Sequence, residues 1–199
     1  MLLILIHFPK KRRCRFVGKC PGEPDFRREV ALNEAPTSQA PTSRAPAPRG
    51  EPARRLAALG LTLPRVPEPR GAFLPFSRIG ATLWLAGQIC EWEGEVRFTG
   101  PVTDIATGRD AARICALNLL ASLSLALDGD LDRVVRCHRL GGFVQVEQGW
   151  PDVPKAVNGA SDLMAELFGQ AGRHARTAIG VASLPANASV EVDGIFEVR

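Results

Sequence analysis

The residues that ask for chemistry lie near the C-terminus, in "GRHARTAIGVASLPANASVEVDGIFEVR", residues 172–199. The stretch reads as two strands around a turn, each with one face kept apolar. On the first, Arg176 shares a face with Ala178, Gly180 and Ala182. Such small neighbours leave space beside a guanidinium, whose planar fork matches a carboxylate. On the second, Glu191 shares a face with Asp193 and Glu197. A carboxylate there can take a proton from water, or the face can simply be solvated or ion-paired. An arginine in a strand is, by the same token, commonly an interface or surface ion-pair partner. His138, mid-strand between arginines, and His174, in a loop, are the two histidines of this half of the chain, and neither has a recognised partner.

Positioning these groups falls to elements that begin near Glu51. "EPARRLAALGLTLP" predicts a short helix stopped by Gly60, and residues 72–89 predict two strands with a turn near Gly80. Residues 103–130 carry the strongest helix signal, with Thr103 as candidate N-cap, Asp104 in the first turn, and Ala112, Cys115, Leu119, Leu123 and Leu127 at helical spacing. "RVVRCHRLGGFVQV" (133–146) predicts a strand with a glycine irregularity at Gly141–Gly142. A second helix is expected within 151–172, ending near Gly169, before the final two strands. The order β-β-α-β-α-β-β implies an α+β fold with both helices on one face of a mixed sheet. The other face must be covered too. Ala86, Ala178, Gly180 and Ala182 are too small to bury it from within, so a subunit interface is expected there.

Composition narrows the functional classes. Residues 1–50 hold ten Lys/Arg and four Asp/Glu, whereas residues 51–199 hold fifteen and seventeen. The basic excess therefore belongs to the first segment, and residues 51–199 offer no electrostatic reason to bind phosphates. Residues 34–50, "EAPTSQAPTSRAPAPRG", read as disordered linker, and residues 1–33 as a non-structural arm or the product of a start assigned too far upstream. The expected division is thus an arm, 1–50, and a folded domain, 51–199. In "MLLILIHFPKKRRCRF" the apolar run precedes the charges, the reverse of a secretory signal, and is too short to span a bilayer. A weak membrane-surface anchor is its alternative reading. Five scattered cysteines, Cys14, Cys20, Cys90, Cys115 and Cys137, form no CxxC pair, so reduced thiols in a cytoplasmic protein are expected.

Taken in order, "LWLAGQI", the long helix, "VVRCHRLGGFVQV", "VNGASDLMAELFG" and "GRHARTAIGVASLPANASVEVDGIFEV" resemble the RidA (YjgF/YER057c/UK114) family, in the branch described as endoribonuclease L-PSP or chorismate-mutase-like. The resemblance covers about residues 52–199. It implies a chorismate-mutase-like fold and a homotrimer with clefts between subunits. It also implies hydrolysis of reactive enamines and imines of the 2-aminoacrylate/2-iminopropionate type to a 2-oxo acid and ammonia, with no cofactor or metal. Arg176 matches the family's substrate-binding arginine and Glu191 its glutamate in the last strand, here assigned to the attacking water. Gly87 would let substrate approach the backbone. Asn158, or Ser161 if the local match slips, stands at the family's polar position in the second helix.

Three positions depart from the family pattern. The chain contains no tyrosine, and Phe73 stands at the matching place in the first strand, keeping an apolar wall without a hydroxyl. Ala86 replaces a serine beside the glycine, and Ala178 replaces a cysteine two positions after the arginine. A carboxylate ligand fits the retained Arg176. The leading expectation is a metabolite-damage-control deaminase. A non-enzymatic trimer that senses a small carboxylate, and an endoribonuclease or translation inhibitor, are the alternatives. The slightly acidic folded part, without paired histidines or a basic–aromatic pattern, speaks against nucleic acid, and no membrane association of the domain is expected.

Overall fold

A computed structural model describes residues 47–199. The arm (1–33), residues 34–46 of the expected linker, Cys14 and Cys20 lie outside the described residues. Arg49 is already tied to the packed chain: its N–H donates to Gly129 O at 2.7 Å, and its carbonyl accepts from Leu131 N at 3.2 Å. Helix α1, Glu51–Ala58, follows with proline in its first turn, and Gly60 (φ 69°) ends it.

Strands β1 (Phe76–Ile79) and β2 (Thr82–Ile89) form the expected hairpin, with Gly80 at φ 58° in the two-residue turn, but the first strand begins only at Phe76, so Phe73 precedes it in the proline-rich entry instead of lying in the strand. A second hairpin, β3 (Glu91–Trp92) and β4 (Glu95–Val96), turns at Glu93–Gly94, both at positive φ. Two-residue strands carry no readable period, so nothing in the local sequence announces them. Helix α2 runs Ile105–Ala126, and its cap is Asp104 rather than Thr103: the Asp104 carboxylate accepts from Thr107 N at 2.9 Å. Then come β5 (Val134–Gln145), α3 (Val153–Phe168, closed by Gly169), β6 (Ala175–Val181) and β7 (Val190–Val198).

The five-stranded sheet has the order β1-β2-β7-β5-β6, antiparallel except for the parallel pair β5–β6. The architecture is mixed α+β. Helix α2 packs over β2 and β7, and α3 over β5 and β6. The two helices approach closely because Gly108 and Gly159 leave room. A Cβ on Gly108 would stand 2.6 Å from Ala156 Cβ, and one on Gly159 would overlap the Arg109 carbonyl. The pairs Arg109–Asp162 (2.7 Å) and Arg113–Glu166 (2.9 Å) clamp the same crossing on its solvent side. Val190, Val192, Phe196 and Val198 of β7 fill the core beneath, fully or almost fully buried.

Three expectations are corrected. The last two strands are not neighbours, since β5 lies between β6 and β7. Arg176, Ala178 and Gly180 look toward the helices and not to the uncovered face: Arg176 bonds to α3, Ala178 packs on the core, and a Cβ at Gly180 would meet Val146 and Val153. Gly141–Gly142 is no bulge, because the β5–β7 register runs through it unbroken and shifts instead between Val134 and Arg136 and between Cys137 and Arg139. Those glycines supply space: a Cβ at Gly142 would stand 2.5 Å from Val157 Cγ1, and one at Gly141 2.5 Å from Asp193 Oδ1.

Candidate functional site

The candidate residues fall into two groups. The first is built on the edge strand β6 and on α3. Pro154, Asn158 and Ser161 recur at i, i+4 and i+7, so they line one stripe of α3, and that stripe meets Arg176. Arg176 Nη1 donates to Asn158 Oδ1 at 2.8 Å and to Ser161 Oγ at 3.0 Å, and Nη2 donates to the Pro154 carbonyl at 3.0 Å. Three of its five N–H donors are thus used, leaving Nε–H and one Nη2–H without a hydrogen bond among the described residues. Asn158 and Ser161, read from the sequence as alternatives, hold the arginine together.

His174 stands behind this arrangement. Its Nδ1 lies 2.7 Å from the Gly172 carbonyl and its Nε2 3.1 Å from Ser161 Oγ. A carbonyl can only accept, so Nδ1 carries the proton and Nε2 accepts from the Ser161 hydroxyl. The Ser161 oxygen in turn accepts from Arg176. Burial pushes the His174 pKa below its ordinary value, and the Arg176 charge adds to that, while the Gly172 hydrogen bond opposes both. The ring is therefore neutral near pH 7. Its partners are spatial rather than sequential, which is why the sequence left it without one.

The second group surrounds Glu191 on the opposite face of the sheet. Alternate residues of β7 are half-buried there: Glu191, Asp193, Ile195 and Glu197. Asp193 pairs with Arg139 at 2.8 Å and Glu197 with His138 at 3.2 Å, so His138 is a surface partner. Glu191 has no hydrogen bond or ion pair among the described residues. Burial first, then the Asp193 charge, push its carboxyl above the ordinary carboxylate range. It faces a cavity of about 490 Å3 lined by Phe73, Ala86, Gly87, Ile89, Pro185 and the 67–75 segment. Gly87 lies in a register shift of β2 between Leu85 and Gln88, directly against the Glu191 carboxylate. Asn118 of α2, almost fully buried, secures the end of that strand by donating to the carbonyls of Ile89 (3.2 Å) and Glu91 (2.6 Å). Arg70, exposed on the same cavity, is ion-paired with the buried Glu91.

Phe73, Gly87 and Glu191 therefore come together, as do Arg176, Asn158 and Ala178, but the two sets do not meet within one chain. They lie on opposite faces of the sheet, with β5 between their strands. The open face also carries Trp84 and Ile179, 51 % and 44 % exposed, which is large apolar surface for a sheet to leave to water. Among the described residues no helix is long and apolar enough to cross a membrane.

Comparison with known proteins agrees with this architecture. The model of the family described as "YjgF/chorismate_mutase-like, putative endoribonuclease" matches residues 53–197. The chain is 38 % identical over 154 residues to Protein TCP17 of Trypanosoma cruzi, covering 75 % of this chain and 96 % of that protein. It is 31 % identical over 140 residues to the 2-iminobutanoate/2-iminopropanoate deaminase of Dermatophagoides farinae, covering 70 % and 95 %. Among solved structures it resembles Atu1372 of Agrobacterium tumefaciens, a protein of unknown function, with a TM-score of 0.69 and 41 % identity over 75 % of this chain and 94 % of that one.

Proposed function

Because the chain belongs to the YjgF/chorismate-mutase-like family, we propose that it hydrolyses reactive 2-imino acids and their enamine tautomers to 2-oxo acids and ammonia, at a site shared by two copies of itself. The observation that carries this reading is the pair of Arg176 donors left without a hydrogen bond among the described residues. Asn158, Ser161 and Pro154 fix the guanidinium and leave Nε–H and an Nη2–H, the pair that grips a carboxylate side-on. The deaminase from Dermatophagoides farinae supports the reaction class.

Since Arg176 and Glu191 of one chain face opposite ways, the site in this reading joins Glu191 to the partner subunit's Arg176. Different surfaces of each copy then meet, the kind of contact that closes into a ring when the rotation between copies divides a full turn. We take that ring to be the homotrimer the resemblance implies. Its formation would also cover Trp84 and Ile179.

In this site the partner subunit's Arg176 holds the substrate carboxylate. Glu191, unpaired and poised by burial, accepts a proton from water as its oxygen attacks the imine carbon. The C=N double bond becomes a single bond in a carbinolamine. Glu191 then returns the proton to nitrogen, the C–N bond breaks with its electron pair on nitrogen, and the carbonyl forms as the hydroxyl proton passes to Glu191 and from it to the departing ammonia. The balance is iminium acid plus water to 2-oxo acid plus ammonium, with no change of oxidation state and no demand for a cofactor. Gly87 leaves the carboxylate room to lie against the strand.

A coupled assay tests this. A pyridoxal-phosphate dehydratase generates 2-aminoacrylate from serine, and 2-oxo acid release is followed with the native protein, with Arg176→Ala, and with neither. Acceleration that the variant loses is expected. Rates equal to buffer for the native protein on this imine and on larger ones would overturn the reading. The second reading, a trimer that binds a small carboxylate without turnover, is favoured by Phe73, which places no hydroxyl in the Glu191 cavity. It predicts that a stable 2-oxo acid binds the native protein, and not Arg176→Ala, with no turnover of any imine.

A further inference from the structure

Resting on the deaminase reading, we infer that this chain selects 2-imino acids with large, uncharged, apolar side chains over the three-carbon imine. With Glu191 at the reacting end, the rest of its cavity is the space for the substrate side chain. That space is walled by Phe73, Leu74, Pro75, Ile89, Pro67 and Pro185. Phe73 and Leu74 are 50 % and 63 % exposed, so their apolar surface lines the opening instead of filling the core. The part of the site that this chain supplies, about 490 Å3, already lies within the range, about 300–1,000 Å3, of ligand pockets. A one-carbon side chain leaves most of that wall wet, whereas a branched or aromatic one removes it from water.

The lining decides against charged side chains. The cationic side chain among the lining residues, Arg70, is committed to Glu91. Among this chain's lining residues an acidic substrate side chain would find no free cation and would face Glu68 and Glu191. A basic one would find Glu91 already paired, Glu68 out at the exposed rim, and Glu191 needed for the water. The proline-rich 67–75 segment, with Pro67, Pro69 and Pro75, forms the wall with little chain entropy left to lose on binding.

The test uses an amino-acid oxidase with catalase to release imines from alanine, leucine, phenylalanine, glutamate and arginine, and measures ammonium formation above spontaneous hydrolysis. Relative kcat/KM for the leucine and phenylalanine imines is expected to exceed that for the alanine imine by at least about tenfold, the effect of roughly one methylene in an apolar pocket. In Phe73→Ala and in Leu74→Ala, both at exposed positions that the fold tolerates, the leucine-to-alanine ratio is expected to fall toward one. Equal rates, or a preference for the alanine, glutamate or arginine imine, would overturn the inference and leave the deaminase reading standing. No acceleration with any imine would overturn both.

Discussion

Gly87 and Glu191 occupy adjoining space across the β2–β7 pair: a Cβ on Gly87 would stand 2.9 Å from Cδ of Glu191 and overlap its Oε1. The obstructing atoms are the far end of a flexible side chain, so a methyl group there displaces the carboxylate and not the strand. Gly87→Ala is therefore expected to leave the thermal midpoint within a few degrees while lowering kcat by about 10²-fold, the scale of an ångström's misplacement of a catalytic group. Paired melting curves and rates check this. A large drop in stability, or unchanged activity, would contradict the relationship.

Glu191→Gln separates chemistry from stability. Removing a general base costs about 10²–10⁴-fold in kcat, which steady-state rates will read. The native carboxyl has a raised pKa, so between its unfolded value, near 4.5, and the higher folded value the native state binds more protons than the unfolded one. Stability contributed by the protonated form is thus lost as pH rises through that window. The amide does not titrate, so the variant is expected to gain stability relative to the native protein above the window and not below it. Denaturant titrations at pH 4 and pH 7.5 give the comparison.

Complementation tests whether the site is shared. Arg176→Ala and Glu191→Gln are each expected to be inactive alone. In subunits mixed by unfolding and refolding together, about one site in four joins an intact Arg176 to an intact Glu191 in a ring of heterologous contacts. Activity recovered to about that fraction supports the shared site. No recovery in verified mixed oligomers would place both groups in one chain's site, against the topology.

His174 is expected to act as a positioning residue through Ser161. Its pKa is lowered from 6.5, so the neutral ring persists at neutral pH, and protonation sets in below that value. A protonated Nε2 donates and can no longer accept from the Ser161 hydroxyl. Because the folded pKa is depressed, the stability held by the neutral ring is present above pH 6.5 and lost as pH falls through the folded value. KM is expected to rise over the same acid range in the native protein. In His174→Gln, whose amide oxygen can still accept, that rise is expected to disappear with kcat reduced only a few-fold, the scale of one neutral hydrogen bond. A purely structural histidine would change Tm without moving the KM–pH profile.

Much of the fold was legible because its signals are local. The α3 stop at Gly169, the Gly80 turn and the α2 span all follow from periodicity and punctuation within a few residues. The cap at Asp104 was missed by one position, since Thr103 and Asp104 both carry capping oxygens and only backbone geometry chooses between them. The hairpin at Glu93–Gly94 was too short to show a period.

For the candidate site, residue types determined what chemistry is available: a fork for a carboxylate in Arg176, a carboxyl in Glu191, an apolar ring without hydroxyl in Phe73, and no side chain at Gly87. Those properties belong to single residues and need no neighbours. Tertiary structure alone decided which of them meet. A parity count along β6 and β7 cannot reveal that β5 inserts between them, because strand order depends on long-range pairing. That insertion, together with the helices packing on one face only, sends Arg176 to α3 and Glu191 to the open face. It also brings His174 to Ser161, since contacts across thirteen residues form only when helix and strand pack.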